Sequence, residues 1–425
     1  MVGEDYMMVL PAQHFRLDDH RVALESAFAH HLRLIRSKIG SSAARLVIVS
    51  PGMTAASYQS AMQSLEVLDE QAESIVFDAP YLIDEARSKR RKLRLFLPLM
   101  RKLYRLVQQS FCVHSGLSWD WMLPTEFASL IFGVMQRRRT VFIVDIDYRN
   151  SARMSYLNGS WSLKSYLVCK YIYDSVRSLQ VYIAVRNYSL VMLKGKKMAL
   201  DFGKGRANVK DFLDAAHSEK NIIDEDTLQQ KLDEIRTRSS PLRLIYFGRI
   251  TAYKGIDACI RATVEARRAG TLVTLDIIGA GEQAEFCRSL CRELDADEFV
   301  TFHGPMQFGP QLFRVLYGFH ILLAAPLRED TPRSALDAMA AGISYLAYDT
   351  YYYRQLLDSG AGEVVPWLDE GAMTAALIKL ESNREDVARM VKSAVAFARL
   401  NTQEIWLDRR LGWTMNLIPD KNPST

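Results

Sequence analysis

The sequence predicts an α/β protein built as two successive parallel-sheet halves. Three observations lead there. Short β-branched or apolar runs alternate with longer amphipathic stretches from end to end, which is the pattern of parallel sheets covered on both faces by helices. A polar, charge-dense stretch, HSEKNIIDEDTLQQKLDEIRTRSSP (217 to 241), interrupts that alternation near the middle. The chain has 425 residues, 49% hydrophobic and 24% charged, enough for two or three domains with real cores. These proportions exclude disorder, collagen and small disulfide scaffolds.

The candidate strands of the first half are YMMVLP (6 to 11), ARLVIVS (44 to 50), SIVFDA (74 to 79), FCVHS (111 to 115), TVFIVDID (140 to 147) and VYIAV (181 to 185). Those of the second are LRLIYFG (242 to 248), LVTLDIIG (272 to 279), FVTFHG (299 to 304), HILLAAP (320 to 326), SYLAYD (344 to 349) and GEVVPW (362 to 367). The resulting division is 1 to 238, 239 to 402, and an amphipathic tail, 403 to 425. In that tail Trp406, Leu407, Leu411 and Trp413 are available for burial, as in a helix returning to the first half. No apolar run is long enough to span a bilayer, and MVGEDYMMVL, acidic before it is apolar, does not read as a secretion signal.

Charge is uneven. Up to Arg238 there are 34 basic and 26 acidic residues, and beyond it 20 and 23, so the halves carry +8 and −3. The first half is therefore expected to face something anionic. Its most basic segment, RSKRRKLRLFLPLMRKLYRL (87 to 106), has nine cations and no acid, with Leu93, Phe96, Leu97, Met100, Leu103 and Tyr104 at helical spacing and Pro98 expected to kink or interrupt the helix. Such a helix suits either an anionic membrane surface or a sheet-packed position with a solvated basic face. Nucleic acid is not expected, since no recognised binding module accompanies the charge. The five cysteines are odd in number and scattered, which reads as reduced thiols in a cytoplasmic protein and not as a metal site.

In the second half, Gly248-Arg249 ends a strand and Lys254-Gly255 precedes a helical pattern. Two cations at a strand's carboxyl end and a helix's amino terminus suit an anion, although solvated surface charges are the plain alternative. Gly279-Ala280-Gly281 then satisfies the dinucleotide fingerprint formally, but the following strand ends in His303-Gly304 without the ribose-binding acid, so the glycines read as a tight turn. The stretch APLREDTPRSALDAMAAG (325 to 342) places Glu329 in a loop and starts a helix around Pro332, whose free amides at 333 to 335 suit hydroxyl-rich or anionic ligands.

Taken in order, G-R-x4-K-G, G-x-G, F-x-G and E-x7-D-A-M-A-x-G from Gly248 to Gly342 resemble the carboxy-terminal domain of retaining glycosyltransferases of the GT-B fold, family 4 type. The resemblance implies two Rossmann-like domains facing a cleft, a nucleotide-diphosphate sugar (UDP- or GDP-) as donor, no metal or other cofactor, and a saccharide or lipid-linked acceptor of the cell envelope or of an exopolysaccharide. It implies that Arg249 and Lys254 grip the donor diphosphate and that Glu329 binds the sugar hydroxyls. Thr331, Pro332, Arg333 and Ser334 would line the phosphate or sugar, Asp337 would hold the ribose, and Gly304, Pro305 and Met306 would pack the base. Asp337 stands where the family usually has Glu. Alternatively it is a first-turn acid favouring the helix dipole, Arg333 a solvated charge and Thr331 a helix cap.

The first half departs from the family pattern. Pro11-Ala12-Gln13-His14-Phe15 replaces a glycine pair, and Asp145 and Asp147 stand where a histidine is common; one of them is expected to contact the sugar or acceptor, or to be an ordinary structural carboxylate. They also spell the D-x-D of metal-dependent GT-A enzymes, a reading the second-half motifs disfavour. His114, near a strand end, is a further candidate for an acceptor or sugar contact. A non-catalytic relative that binds or scaffolds is the alternative to an enzyme.

Overall fold

In the computed structural model, residues 4 to 62, 65 to 238, 240 to 331 and 333 to 417 are described. The chain forms two compact bodies. The first comprises residues 1 to 145, 171 to 212 and 408 onward, and the second 146 to 170 and 213 to 407.

The first body is built on seven parallel strands: β1 (Asp5–Val9), β4 (Leu46–Val49), β6 (Ile75–Asp78), β7 (Ser110–Gly116), β8 (Arg139–Val144), β9 (Leu190–Lys194) and β10 (Val209–Phe212), in the order β10-β9-β8-β7-β1-β4-β6. β1 and β9 are buried along their whole length and are apolar except for Asp5 and Lys194 at their ends; β9 and β10 are not among the predicted runs. A small antiparallel sheet, β2 (His14–Arg16), β3 (Arg21–Glu25) and β5 (Leu65–Asp69), flanks it. No predicted run corresponds to this sheet, whose strands HFR, RVALE and LEVLD are short and carry charged or polar residues at one or both ends.

Two expectations for this body are corrected. VYIAV is not a strand but part of the helix Asp174–Asn187, because Val181, Ala184 and Val185 share one buried face at helical spacing while Tyr182 and Arg186 lie outside. Pro98 does not interrupt the basic helix, which runs from Lys89 to Gln109. Leu99, Leu103 and Val107 hold its inner face. Arg94 and Pro98 are both exposed, so the carbonyl that loses its donor to the proline lies on the wet side.

The second body carries six parallel strands, β11 (Leu242–Phe247), β12 (Val273–Ile278), β13 (Val300–Gly304), β14 (Ile321–Ala324), β15 (Ser344–Tyr348) and β16 (Gly362–Val365), ordered β13-β12-β11-β14-β15-β16. All six coincide with predicted runs. The expected boundary at 238 is displaced: 217 to 241 is not a linker, since it contains the helix Glu225–Thr237, whose Leu228, Leu232 and Ile235 join the second core. Its Lys231 is buried, and the ammonium donates to the carbonyls of Phe319, Ala341 and Gly342 at 2.9, 2.6 and 2.9 Å. Burial pushes the Lys231 pKa down, and these three acceptors, two of them just past the helix Arg333–Ala340, are what the cation finds there. The tail forms the helix Gln403–Met415, with Trp406, Leu407 and Leu411 buried.

Candidate functional site

The second sheet reverses direction between β11 and β14. From β11 the chain adds strands outward to β13, then returns to the other side for β14, β15 and β16. At such a switch point the loops leaving the strands' carboxyl ends diverge and open a crevice for ligands. The loops after β11 and β14 carry the residues singled out from the sequence.

Glycines allow these loops to approach one another. Gly255 ends the β11 loop with φ +63°, and a Cβ there would stand 2.0 Å from the Ala325 carbonyl oxygen. A Cβ on Gly279, the first glycine of the G-x-G, would stand 1.9 Å from the Gly248 carbonyl oxygen. The G-x-G is thus a packing device: the Gly248 N–H donates to Ile278 and the Ile250 N–H to Ala280, both at 2.9 Å.

Tyr253 organises the cations. The Arg249 guanidinium donates to its hydroxyl at 3.1 Å, while the Arg328 guanidinium lies 3.9 Å and the Lys254 ammonium 5.4 Å from its ring centre. The Leu327 N–H donates to the Tyr253 carbonyl at 2.8 Å and ties the two loops together. Lys254 is ion-paired with Asp330. Three cations therefore share one small region, of which the sequence reading contains Arg249 and Lys254. Arg328 is adjacent to Glu329 in sequence, but nothing in the spacing distinguishes it from a solvated arginine.

Glu329 is only 1% exposed. Its carboxyl accepts from Asn150 Nδ2 at 3.1 Å and from the Tyr351 N–H at 3.2 Å. Burial raises its pKa to about 7; the Asn150 and Tyr351 donors oppose this, and the nearby Asp147 and Asp349 carboxylates reinforce it. The group can therefore both donate and accept a proton near neutrality. Neither Asn150 nor Tyr351 is among the residues singled out from the sequence, since no local pattern announces contacts spanning 179 and 22 residues.

Asp145 and Asp147 do not act as a pair. Asp145 is exposed and is the last residue of the first body before the chain enters the second, whereas Asp147 is buried and accepts from Arg149 Nε at 2.8 Å and Nη2 at 2.5 Å. The Asp147 backbone N–H donates to the Tyr352 hydroxyl at 2.7 Å, so the segment after β8 is fixed beside the Glu329 partners. His114 lies two residues before the end of β7, and its ring bonds the Tyr6 hydroxyl at 2.9 Å within the first body. Burial lowers its pKa to about 3 and keeps it neutral.

Asp337 lies on the helix Arg333–Ala340, buried, and its Oδ1 accepts from the N–H groups of Ala216 and His217 at 3.1 and 2.8 Å and lies 3.2 Å from His217 Nδ1. One carboxylate oxygen is thus committed to holding the 216 to 217 segment. Arg333 is exposed, 3.7 Å from Asp214, while Thr331 and Ser334 are half-buried. Pro332 lies outside the described residues. Gly304 closes β13 with φ +75° and receives the Gly279 N–H at 2.8 Å; Pro305 and Met306 follow it, Met306 packing on the core beneath.

Comparison with known proteins bears on the fold and on the second body. Residues 229 to 396 match the family model described as Glycosyl transferases group 1. A 121-residue stretch is 26% identical to the GtfA subunit of a UDP-N-acetylglucosamine--peptide N-acetylglucosaminyltransferase from Streptococcus gordonii, covering 28% of this chain and 23% of that protein. Over 165 residues the chain is 27% identical to the amylovoran biosynthesis glycosyltransferase AmsK of Erwinia amylovora, covering 37% of this chain and 40% of the relative. The chain thus spans about a quarter of the length of the first relative and two fifths of the second. The crystal structure of HepE from Anabaena in complex with UDP superposes with a TM-score of 0.62 at 12% identity, covering 97% of this chain and all of HepE. The two parallel-sheet domains are those of the GT-B fold, and most of the second matches the glycosyl transferases group 1 family model.

Proposed function

We propose that the protein is a glycosyltransferase that moves a sugar, with retention of anomeric configuration, from a nucleotide-diphosphate donor to a saccharide or lipid-linked acceptor in envelope or exopolysaccharide synthesis. The observation that carries this reading is the convergence of Arg249, Lys254 and Arg328 on Tyr253, beside the buried Glu329, at the switch point of the second sheet. Three cations suit a diphosphate, and a buried carboxyl poised near neutrality suits sugar hydroxyls. UDP is the first donor base to test, with GDP second, given the UDP bound in HepE and the UDP-sugar named for the streptococcal relative.

In the proposed chemistry the bond between the anomeric carbon and the diphosphate oxygen breaks, and that oxygen keeps the electron pair. The charge it gains is held by Arg249, Lys254 and Arg328. The acceptor oxygen bonds to the same face of the anomeric carbon and its proton passes to the departing phosphate. No metal is needed where fixed cations supply this charge. Asp337, Gly304, Pro305 and Met306 are assigned to the nucleoside, and Thr331 to Ser334 to the phosphate or sugar. Asp145, Asp147 and His114 are the candidates for an acceptor or sugar contact. We further assign the protein to the cytoplasm, adsorbed to the membrane's inner face through the basic helix.

Incubation with UDP- and GDP-sugars, with and without EDTA, tests the reading through slow release of free nucleotide. Release that survives EDTA and falls at least about a hundredfold in Lys254→Ala is expected. If no nucleotide sugar raises the melting temperature, the reading is wrong. Tight donor binding with no release and no transfer would instead favour the non-catalytic alternative, for which the commitment of Asp337 to residues 216 and 217 speaks.

A further inference from the structure

The first domain carries an outward apolar face that its own core does not use. The helix Lys89–Gln109 buries Leu99, Leu103 and Val107 in its second half, but its first half keeps Leu93 73% exposed, with Phe96 and Leu97 also exposed. Lys89, Arg90, Arg91 and Arg94 surround these side chains and are exposed as well. Beside this end of the helix stands the loop between β7 and the helix Thr125–Met135, in which Trp119 is 52% and Trp121 67% exposed.

That loop is braced. Leu117 and Leu123 are buried at its two ends. The Asp120 carboxylate accepts from the N–H groups of Met122 at 2.9 Å and Leu123 at 3.3 Å, and pairs with Lys92 of the basic helix. From the other side, Gln180 accepts from the Ser118 N–H at 3.0 Å and donates to its carbonyl at 3.2 Å, and the Arg177 guanidinium lies 4.2 Å from the Trp119 ring centre. Gln180 and Arg177 belong to the helix Asp174–Asn187, whose Val176, Leu179 and Tyr182 are exposed on the side away from buried Val181, Ala184 and Val185. Both helices thus flank one fixed loop.

We propose that this face docks on an anionic lipid bilayer, with Trp119 and Trp121 inserted among the head groups as anchors. Indole has an apolar body and a polar N–H, which suits the boundary between acyl chains and water. The flanking cations favour anionic head groups and disfavour a neutral apolar partner. The held loop means the two rings need little ordering on contact. The proposal deepens the adsorption assigned above to the basic helix by adding an anchor that salt does not screen, and it is independent of the donor site.

Co-sedimentation of the full-length protein with vesicles of phosphatidylcholine alone, or mixed equally with phosphatidylglycerol, tests this at low and high salt. Wild type is expected to bind the mixed vesicles, with a residue of binding that survives high salt. The triple variant Arg90→Gln/Arg91→Gln/Arg94→Gln should lose about a hundredfold of the low-salt affinity. Trp119→Ser/Trp121→Ser should lose the salt-resistant part and about tenfold overall, while Trp119→Phe/Trp121→Phe keeps most of it. Far-ultraviolet melting curves like wild type show that each variant folds, and nucleotide binding measured in parallel keeps this outcome separate from the donor reading. The proposal is overturned if wild type ignores anionic vesicles, if the serine variant binds as wild type does, or if light scattering shows a dimer that the serine variant dissolves, which would assign the face to a second copy.

Discussion

The loops that leave β1 and β11 are the first of their respective sheets, and they use polar residues in opposite ways. After β11, Arg249 and Lys254 are directed to one aromatic ring, and a glycine at 255 lets the next loop come close. After β1, the chain enters the small antiparallel sheet within a few residues, and its polar groups serve packing. His14 bonds the Ser50 hydroxyl at 2.7 Å and is held neutral, its pKa lowered to about 4 mainly by burial, and Arg16 pairs with Glu70 at 2.8 Å. The basic half of the protein is therefore not where cations are concentrated on a point. In the nearly neutral half a few cations are placed; in the basic half many are spread over a surface.

Changing the charges one region at a time sharpens this contrast. The largest effect is expected from Arg328→Ala, which should weaken nucleotide-diphosphate binding about tenfold by calorimetry. Arg90→Gln/Arg91→Gln/Arg94→Gln, with three charges removed, should change it less than about twofold because exposed charges are screened. Equal losses from the two would erase the distinction. A smaller effect concerns Glu329. Its pKa is raised from 4.5 to about 7 by folding, so the folded state binds the proton more tightly. Stability from this group is fully present below about 4.5, is lost as pH rises toward about 7, and is level above that. The melting temperature of Glu329→Gln relative to wild type should rise across that window by a few degrees and then stay flat; a pH-independent difference would mean that folding leaves the carboxyl's pKa unshifted. An effect smaller than that of Arg328→Ala and opposite in sign is expected from Asp330→Asn, which frees Lys254 from its ion-pair partner and should tighten nucleotide binding about threefold. Weaker binding would mean that Asp330 positions the lysine instead of competing for it.

What was legible in the sequence follows the same division. Strands buried on both faces, such as LVIV of β4 and ILLA of β14, stand out as apolar runs. The β3 strand, RVALE, does not, because its ends are charged and its pairing is antiparallel. VYIAV misleads because a short β-branched run cannot be told from one face of a helix by composition alone. At the site, Arg249, Lys254 and Glu329 were visible because their spacing follows two adjacent strand-to-helix turns. Asn150 and Tyr351 were not, since each reaches Glu329 from a different part of the chain. Asp337 was visible as an acid on a helix, but its attachment to residues 216 and 217 depends on a segment that reads as a boundary.

The buried ammonium of Lys231 gives that segment a mechanical meaning. It works as a rivet: one atom fastens the helix Glu225–Thr237 to the carbonyls of Phe319, Ala341 and Gly342, hence to the far end of the helix that bears Asp337. A fragment of the second domain cut at residue 239 would leave those three carbonyls without their donor and Asp337 without the amides of 216 and 217. Residues 213 to 241 therefore belong to the second body, together with 146 to 170, and the stretch resembling a tether fastens the helix that bears Asp337.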